Sequence, residues 1–195
     1  MPTPPALRPA TTDDLPDVAR IYAHYVEHSL ATFDTEAPTV AAWHDKLAGI
    51  EAAGWPFLVA TGTLPGAPDD AAPVVLGFAY TSPYRPKAAY RYTVEETIYL
   101  DPDATGRGLG GVLLTAVLDA ARAAGAREAV AVIADAPDPD DPAGTVRRTA
   151  SGVLHERHGF RVAGRLEDVG RKHGRWVSVT LYQAALAGRD AARRP

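Results

Sequence analysis

The 195-residue chain contains no cysteine. That absence removes disulfides, thiolate-bound metal and any covalent cysteinyl intermediate together, so chemistry has to run through carboxylates, imidazoles, hydroxyls or the backbone. Long apolar runs are missing too. Nowhere do roughly 18 apolar residues follow one another, and Met1-Pro2-Thr3-Pro4-Pro5 has neither the charged start nor the apolar centre of a secretory signal. A soluble, cytoplasmic protein without a membrane partner is expected. Positive charge is also scarce. With a formal charge of −4 and no sustained Lys/Arg block, nucleic acid is not the main partner, because phosphate binding is largely electrostatic. The basic cluster from Arg189 to Arg194 reads as a short polar tail.

What remains is 46% apolar and long enough to bury a core. The expectation is one domain over residues 1–195, with a core at about 7–183 and a flexible tail at about 187–195. Leu7 to Ala10 reads as a short strand. Thr11 to Asp14 offers helix caps, followed by apolar positions Leu15, Val18, Ile21, Tyr22, Tyr25 and Val26 at helical spacing. A second helix, capped by Thr39, carries Val40, Trp43, Leu47 and Ile50 on one face and ends before Gly54; two helices after one strand suggest a lid. Pro56 to Thr61 and Val74 to Tyr80 read as paired strands joined by a Gly/Pro/Asp-rich loop. Ala129 to Ala134 lacks polar alternation and reads as a buried strand. Val162 to Gly170 and Trp176 to Gln183 close the chain as a hairpin. The sum is a mixed α/β sheet with helices on its faces.

The segment from Thr93 to Gly125 organises the rest. Thr93 to Leu100 is a strand, Pro102 ends it, and a helix runs from Leu109 until Gly125 closes it. Between them lies Gly106-Arg107-Gly108-Leu109-Gly110-Gly111. Without Cβ atoms the backbone there can approach an anion, and the free N–H groups at the helix start face it. A dinucleotide fingerprint does not fit, since Asp101 to Thr105 separate the strand from the first glycine and remove the tight turn such a site needs. No metal site is expected. His155-Glu156-Arg157-His158 is one residue short of H-E-x-x-H, and the acidic stretch Asp135 to Gly144, with four aspartates, lacks the spacing of a calcium loop and reads as an acidic surface loop.

Thr105-Gly106-Arg107-Gly108-Leu109-Gly110 resembles the acetyl-CoA motif [QR]-x-x-G-x-[GA] of the GNAT N-acetyltransferases, with Thr105 departing at the first position. Ala89-Tyr90-Arg91-Tyr92-Thr93-Val94-Glu95 and Lys172-His173-Gly174-Arg175-Trp176 are similar to the phosphinothricin and methionine sulfoximine acetyltransferase branch. So is the run from Thr149 to Phe160, in which Ser151, His155, Gly159 and Phe160 match and Arg148 stands where Asn is usual.

The resemblance implies the acetyltransferase fold, with about seven strands, splayed central strands and four helices. It implies acetyl-CoA as co-substrate. The backbone of Ile98, Tyr99 and Leu100 would pair with pantetheine, and Gly106, Arg107, Gly108, Leu109, Gly110 and Gly111 would take the pyrophosphate, with Ser151 nearby. An amine attacks a thioester only as the free base, so a proton acceptor is required. Glu95 is the candidate and Glu96 its rival; neighbours in a strand face opposite sides, so only one can face the pocket. His155 is a candidate to assist the departing thiolate, the alternative being a hydrogen-bonded core histidine. Phe33, Arg85, Lys87, Tyr90 and Thr97 would form the acceptor side, the order Arg85, Lys87 reversing the branch's common Lys-x-Arg; an aromatic tucked into the core is the alternative for Phe33. The acceptor implied is a small amino-acid-like amine, with a polyamine, an antibiotic or a protein N-terminus as alternatives. A non-catalytic acyl-CoA-binding module is a third reading. A homodimer, with Lys172 to Trp176 near the partner, is a further expectation of the resemblance.

Overall fold

The computed structural model describes residues 5–68, 70–137, 146–147 and 149–187. Strand β1 (Ala6–Pro9) leads into a 3-10 turn, Thr12–Asp14, before helix α1 (Leu15–His28). The helix starts later than the caps predict because of Asp14. Its carboxylate accepts from the Thr11 N–H at 2.8 Å and from both Arg8 guanidinium nitrogens at 2.7 and 2.6 Å, which ties the first turn back to β1. Helix α2 (Val40–Ala52) is capped as expected, the Thr39 hydroxyl accepting from Ala42 N–H.

Strands β2 (Phe57–Gly62), β3 (Val74–Pro83) and β4 (Thr93–Leu100) follow, then helix α3 (Leu109–Ala123) and strand β5 (Glu128–Ala134). Two short strands, β6 (Ala136–Pro137) and β7 (Val146–Arg147), pair with each other before helix α4 (Ala150–Arg157). Strands β8 (Arg161–Lys172) and β9 (Arg175–Ala185) end the fold, longer than the sequence pattern suggests. Their turn is His173-Gly174, both at positive φ (48° and 77°), the backbone sense that suits a two-residue hairpin.

One seven-stranded sheet has the order β1-β2-β3-β4-β5-β9-β8. Every pairing in it is antiparallel except β4 with β5. That parallel pairing spans only Thr93↔Glu128, Val94↔Ala129 and Glu95↔Val130. Beyond it β4 stays with β3 as far as Gly77↔Leu100, while β5 stays with β9 as far as Ala134↔Val179. The sheet therefore opens as a wedge between residues 96–100 and 131–134. The expected splayed central strands are these.

Helix α3 covers one face with Leu113, Leu114, Val117 and Ala121 against Ala79, Val94 and Ala129. Helices α1 and α2 cover the other with Val18, Ile21, Trp43 and Ile50 against Phe57, Val59 and Phe78. Each such buried aliphatic side chain contributes about 1.5–3 kcal/mol. The lid expected from α1 and α2 is thus a packed layer of the core. Asp135, first of the four acidic-loop aspartates, is not a surface residue: it is buried and accepts from Arg165 Nε and the Thr180 hydroxyl, each at 2.7 Å. Asp138, Asp140 and Asp141 lie outside the described residues, as do Arg148 and the tail from 188. Among the described residues no helix is long and apolar enough to cross a membrane.

Candidate active site

The pleat of β4 sorts the site. Val94, Ile98 and Leu100 pack into the α3 core, and Tyr99 into the α1–α2 core. Glu95 and Thr97 therefore share a face with Tyr99, and Glu96 lies on the other. Glu95 is the last β4 residue paired to β5, at the vertex of the wedge, and is half-buried. Burial raises its carboxyl above the ordinary value; Arg85 and Lys46 pull it down and Glu96 pushes it up, with a net rise. Such a carboxylate is a stronger proton acceptor than one in water.

Glu96 is buried and bonds through Oε1 to His155 Nε2 from α4. His155 Nδ1 donates to the Ser151 carbonyl at 2.7 Å, so both ring nitrogens are engaged. Burial opposes a charged imidazole, but the bond and charge of Glu96 and the Ser151 carbonyl together outweigh it, and the His155 pKa is raised. The Ser151 hydroxyl is half-buried beside the same ring, 3.4 Å from Nδ1.

Along the open edge of β4, Ile98 and Leu100 pack toward α3, and the Leu100 carbonyl accepts from the Tyr25 hydroxyl at 2.8 Å. Tyr99 donates to the Ala31 carbonyl at 3.0 Å, its phenol pushed up by burial. At the end of the strand Arg20 binds Asp101 at 2.7 Å, and Asp101 caps the turn Pro102–Ala104. The Thr105 hydroxyl donates to the Pro102 carbonyl at 2.9 Å. The residue that departs from the family motif therefore closes this turn.

Gly106 and Gly108 have φ of +74° and +79°, and a Cβ at either would meet no protein atom within 4 Å. The backbone there requires glycine, and the space in front of it is open. Gly108 is the N-cap of α3, Arg107 is exposed beside it, and Leu109 anchors the helix start in the core. Gly110 and Gly111 let α4 approach: a Cβ would stand 3.3 Å from Leu154 Cδ2 and 3.3 Å from His158 Nε2 respectively. A groove of about 600 Å³ continues from the loop, lined by Gly108, Gly111, Val112, Thr115 and His158 among others. His158 donates Nδ1–H to the Leu154 carbonyl at 2.8 Å, which leaves Nε2 turned toward Gly111. A glycine cradle at a helix N-terminus, an open peptide edge and a bordering groove fit a phosphorylated, amide-containing co-substrate.

On the Glu95 face, Arg85 stacks over Tyr84 at 5.1 Å, and Tyr84 meets Tyr90 edge-on at 5.7 Å. Lys87 caps the 3-10 turn Ala88–Tyr90 and is exposed. Thr97 is half-buried opposite Tyr80, whose hydroxyl accepts from Lys46 at 3.0 Å. Phe33 is 39% exposed and lies against Gly170 of β8, where a Cβ would come within 2.2 Å of its ring. Lys46 escaped sequence reasoning, although it follows the core residue Trp43 by one helical turn, and His158 entered it only within the rejected H-E-x-x-H pattern. Among the described residues no group of three or more His, Asp or Glu is placed to hold a metal ion.

Residues 19–143 match the acetyltransferase (GNAT) family, and the chain belongs to it. A GNAT superfamily phosphinothricin acetyltransferase from Sinorhizobium meliloti, solved in complex with AcCoA, superposes with a TM-score of 0.80 at 32% identity, covering 99% of this chain and 94% of that one. The phosphinothricin N-acetyltransferase of Alcaligenes faecalis is 35% identical over 184 residues, 94% of this chain and 84% of that protein. The L-methionine sulfoximine/L-methionine sulfone acetyltransferase of Pseudomonas paraeruginosa is 35% identical over 184 residues, 93% of this chain and 94% of its own. The chain is an acetyl-CoA-dependent N-acetyltransferase, and acetyl-CoA is its co-substrate.

Proposed function

We propose that the protein acetylates the amine of a small amino-acid-like acceptor of the phosphinothricin, methionine sulfoximine or methionine sulfone type, with Glu95 as general base. The observation that carries this reading is the position of Glu95. It stands at the vertex of the wedge, half-buried with a raised pKa, on the face that also carries Arg85 and Lys46. An acceptor whose carboxylate or phosphinate meets Arg85 and Lys87 would bring its amine toward Glu95. Glu95 takes the amine proton, directly or through a water, as nitrogen attacks the thioester carbonyl. A backbone N–H near Ile98 or Tyr99 holds the oxyanion, and CoA leaves as the thiolate beside His155.

Ile98, Tyr99 and Leu100 hold pantetheine through their open backbone edge, and Gly106 to Gly111 hold the pyrophosphate, with Ser151 close by. The enzyme works in the cytoplasm as a homodimer. The exposed apolar side chains Val162, Leu166, Val169 and Trp176 on the edge hairpin β8–β9 support that assembly.

The test is thiol release from acetyl-CoA with methionine sulfoximine, phosphinothricin, spermidine and an N-terminal peptide as acceptors. Turnover confined to the first two is expected. Preference for spermidine, or thiol release with none of the four, would sink the acceptor class.

Gly170 offers a second handle on the same pocket. A methyl group there pushes the Phe33 ring aside, and the exposed ring yields without unfolding the core. Gly170→Ala is expected to raise the acceptor KM about tenfold, roughly 1.4 kcal/mol, with the acetyl-CoA KM unchanged and stability within about 0.5 kcal/mol. Steady-state kinetics with each substrate varied in turn decide it; an unchanged acceptor KM removes Phe33 from the pocket wall.

A further inference from the structure

The wedge leaves β4 on one side and the β5–β9–β8 part of the sheet on the other, yet one stretch of chain touches both. β5 keeps β9 only as far as Val179, so the tip of the β8–β9 hairpin, residues 170–177, reaches past the end of β5. Residues 29–34, between α1 and α2, have no regular structure and lie against this tip and against β4. Two consecutive carbonyls of the stretch are held from opposite sides. Ala31 accepts from the Tyr99 hydroxyl of β4 at 3.0 Å, and Thr32 accepts from Lys172 Nζ of β8 at 2.8 Å. Next in the chain comes Phe33, whose ring lies on Gly170, two residues from Lys172 and so on the same face of β8.

Lys172 is a costly way to make a purely structural link. It is 3% exposed, and its second bond goes to the Tyr25 carbonyl of α1 at 3.3 Å. No carboxylate among the described residues bonds to it. Asp34, the acid whose charge acts on it, is bound instead by the Tyr22 hydroxyl at 2.8 Å. Burial lowers the Lys172 pKa, with Asp34 opposing. An ammonium buried against carbonyls alone is expensive, and methionine, one atom shorter, would fill the space without a charge. Methionine would not grip the strand-like stretch beside it. The Tyr25 carbonyl has other donors, the Ser29 N–H at 3.2 Å and hydroxyl at 2.8 Å. For the Thr32 carbonyl, Lys172 is the one donor among the described residues.

We propose that residues 29–34 form a strap across the wide end of the wedge, and that Lys172 is a positioning residue for the acceptor, gripping the Thr32 carbonyl so that Phe33 stands as a fixed wall of the acceptor pocket. This rests on the acceptor reading above. The strap lies on the face of β4 that carries Glu95, Thr97 and Tyr99, so a shift of the strap moves the wall and leaves the proton acceptor in place. The glycine cradle opens α3, on the other face of the sheet, so the grip on acetyl-CoA is set elsewhere.

Lys172→Met is expected to raise the acceptor KM about tenfold, while kcat and the acetyl-CoA KM stay within about threefold. Tyr99→Phe removes only the hydroxyl that holds the β4 end, and should move the acceptor KM in the same direction. The double variant should raise it no further than the larger single change, because a strap freed at one end no longer fixes Phe33. Hydrogen exchange read by mass spectrometry should show the amides of residues 30–34 exchanging at least about tenfold faster in either variant, with α3 and β3 unchanged. An unchanged acceptor KM, unchanged exchange in residues 30–34, or single effects that multiply in the double variant overturns the strap. If Lys172→Met does not fold, Tyr99→Phe decides by the same two readouts. The exchange needs no acceptor, so wild-type inactivity on every acceptor counts against the acceptor class and leaves the strap to be judged by exchange.

Discussion

Glu95→Gln should lower kcat for acetyl transfer by about 10²- to 10⁴-fold while acetyl-CoA binds as before. The amide keeps the volume of the carboxylate and can still hydrogen-bond, but cannot take a proton from an ammonium. The sign of the pH response follows from the raised Glu95 pKa. Below it the carboxyl is protonated and idle, so wild-type kcat/KM climbs as pH rises through a value above the ordinary 4.5, and Glu95→Gln loses this limb. Lys46 helps hold the carboxylate charged, so Lys46→Met should move the limb to higher pH. Calorimetric titration of acetyl-CoA separates loss of chemistry from loss of binding. A variant that retains wild-type kcat removes Glu95 as the base.

Trp43→Ala should cost about 3–5 kcal/mol, or roughly 6–20 °C in Tm for a chain of this size. Trp43 is fully buried beneath α2, edge-on to Tyr22 at 5.3 Å and Phe78 at 5.5 Å, with Phe57 and Tyr80 just beyond. Among the described residues only Phe78 in this layer joins as many rings. Trp43→Phe should cost only about 1–2 kcal/mol, because the Trp43 indole Nε1 is buried without an acceptor among the described residues, and its removal relieves an unpaired donor. Lys46 stands over the Trp43 ring at 5.0 Å, so the alanine variant should also loosen the charge that faces Glu95. Thermal unfolding of both variants checks the difference; equal losses would mean that Nε1 has a partner.

The long elements were legible because their periodicity matches their surroundings. β4 alternates between two cores, α3 presents one apolar stripe, and β5 buries Ala129, Ala131 and Ile133 under α3 while Val132 on its other face is exposed, so its apolar run marked a strand without marking burial on both faces. The glycine loop was legible because positive φ at Gly106 and Gly108 demands that residue type. The opposite facing of Glu95 and Glu96 followed from the pleat alone. Contacts made only by the tertiary fold were hidden. Glu96 and His155 are 59 positions apart, and Phe33 meets Gly170 across an even longer stretch of chain, from a loop after α1 to a strand near the end. The ladder β6–β7 is two residues deep and carries no period to detect. Thr105 reads in sequence only as a missing longer side chain; its hydroxyl bond to Pro102 gives it a structural task instead.

The brief pairing of β4 and β5 also bears on solubility. Parting two neighbours inside a sheet creates a pair of raw edges, and such edges are where unrelated chains add strands and aggregate. Here they face one another across a narrow cleft in the middle of the sheet, between the layers built on α1–α2 and on α3. A strand from another molecule would have to enter between these two layers to pair with either edge. A thin flexible rod bearing peptide-like amides needs less room, and pantetheine is such a rod. If the gap admits the co-substrate as proposed, the same opening screens its own backbone against the commonest wrong partner, another polypeptide.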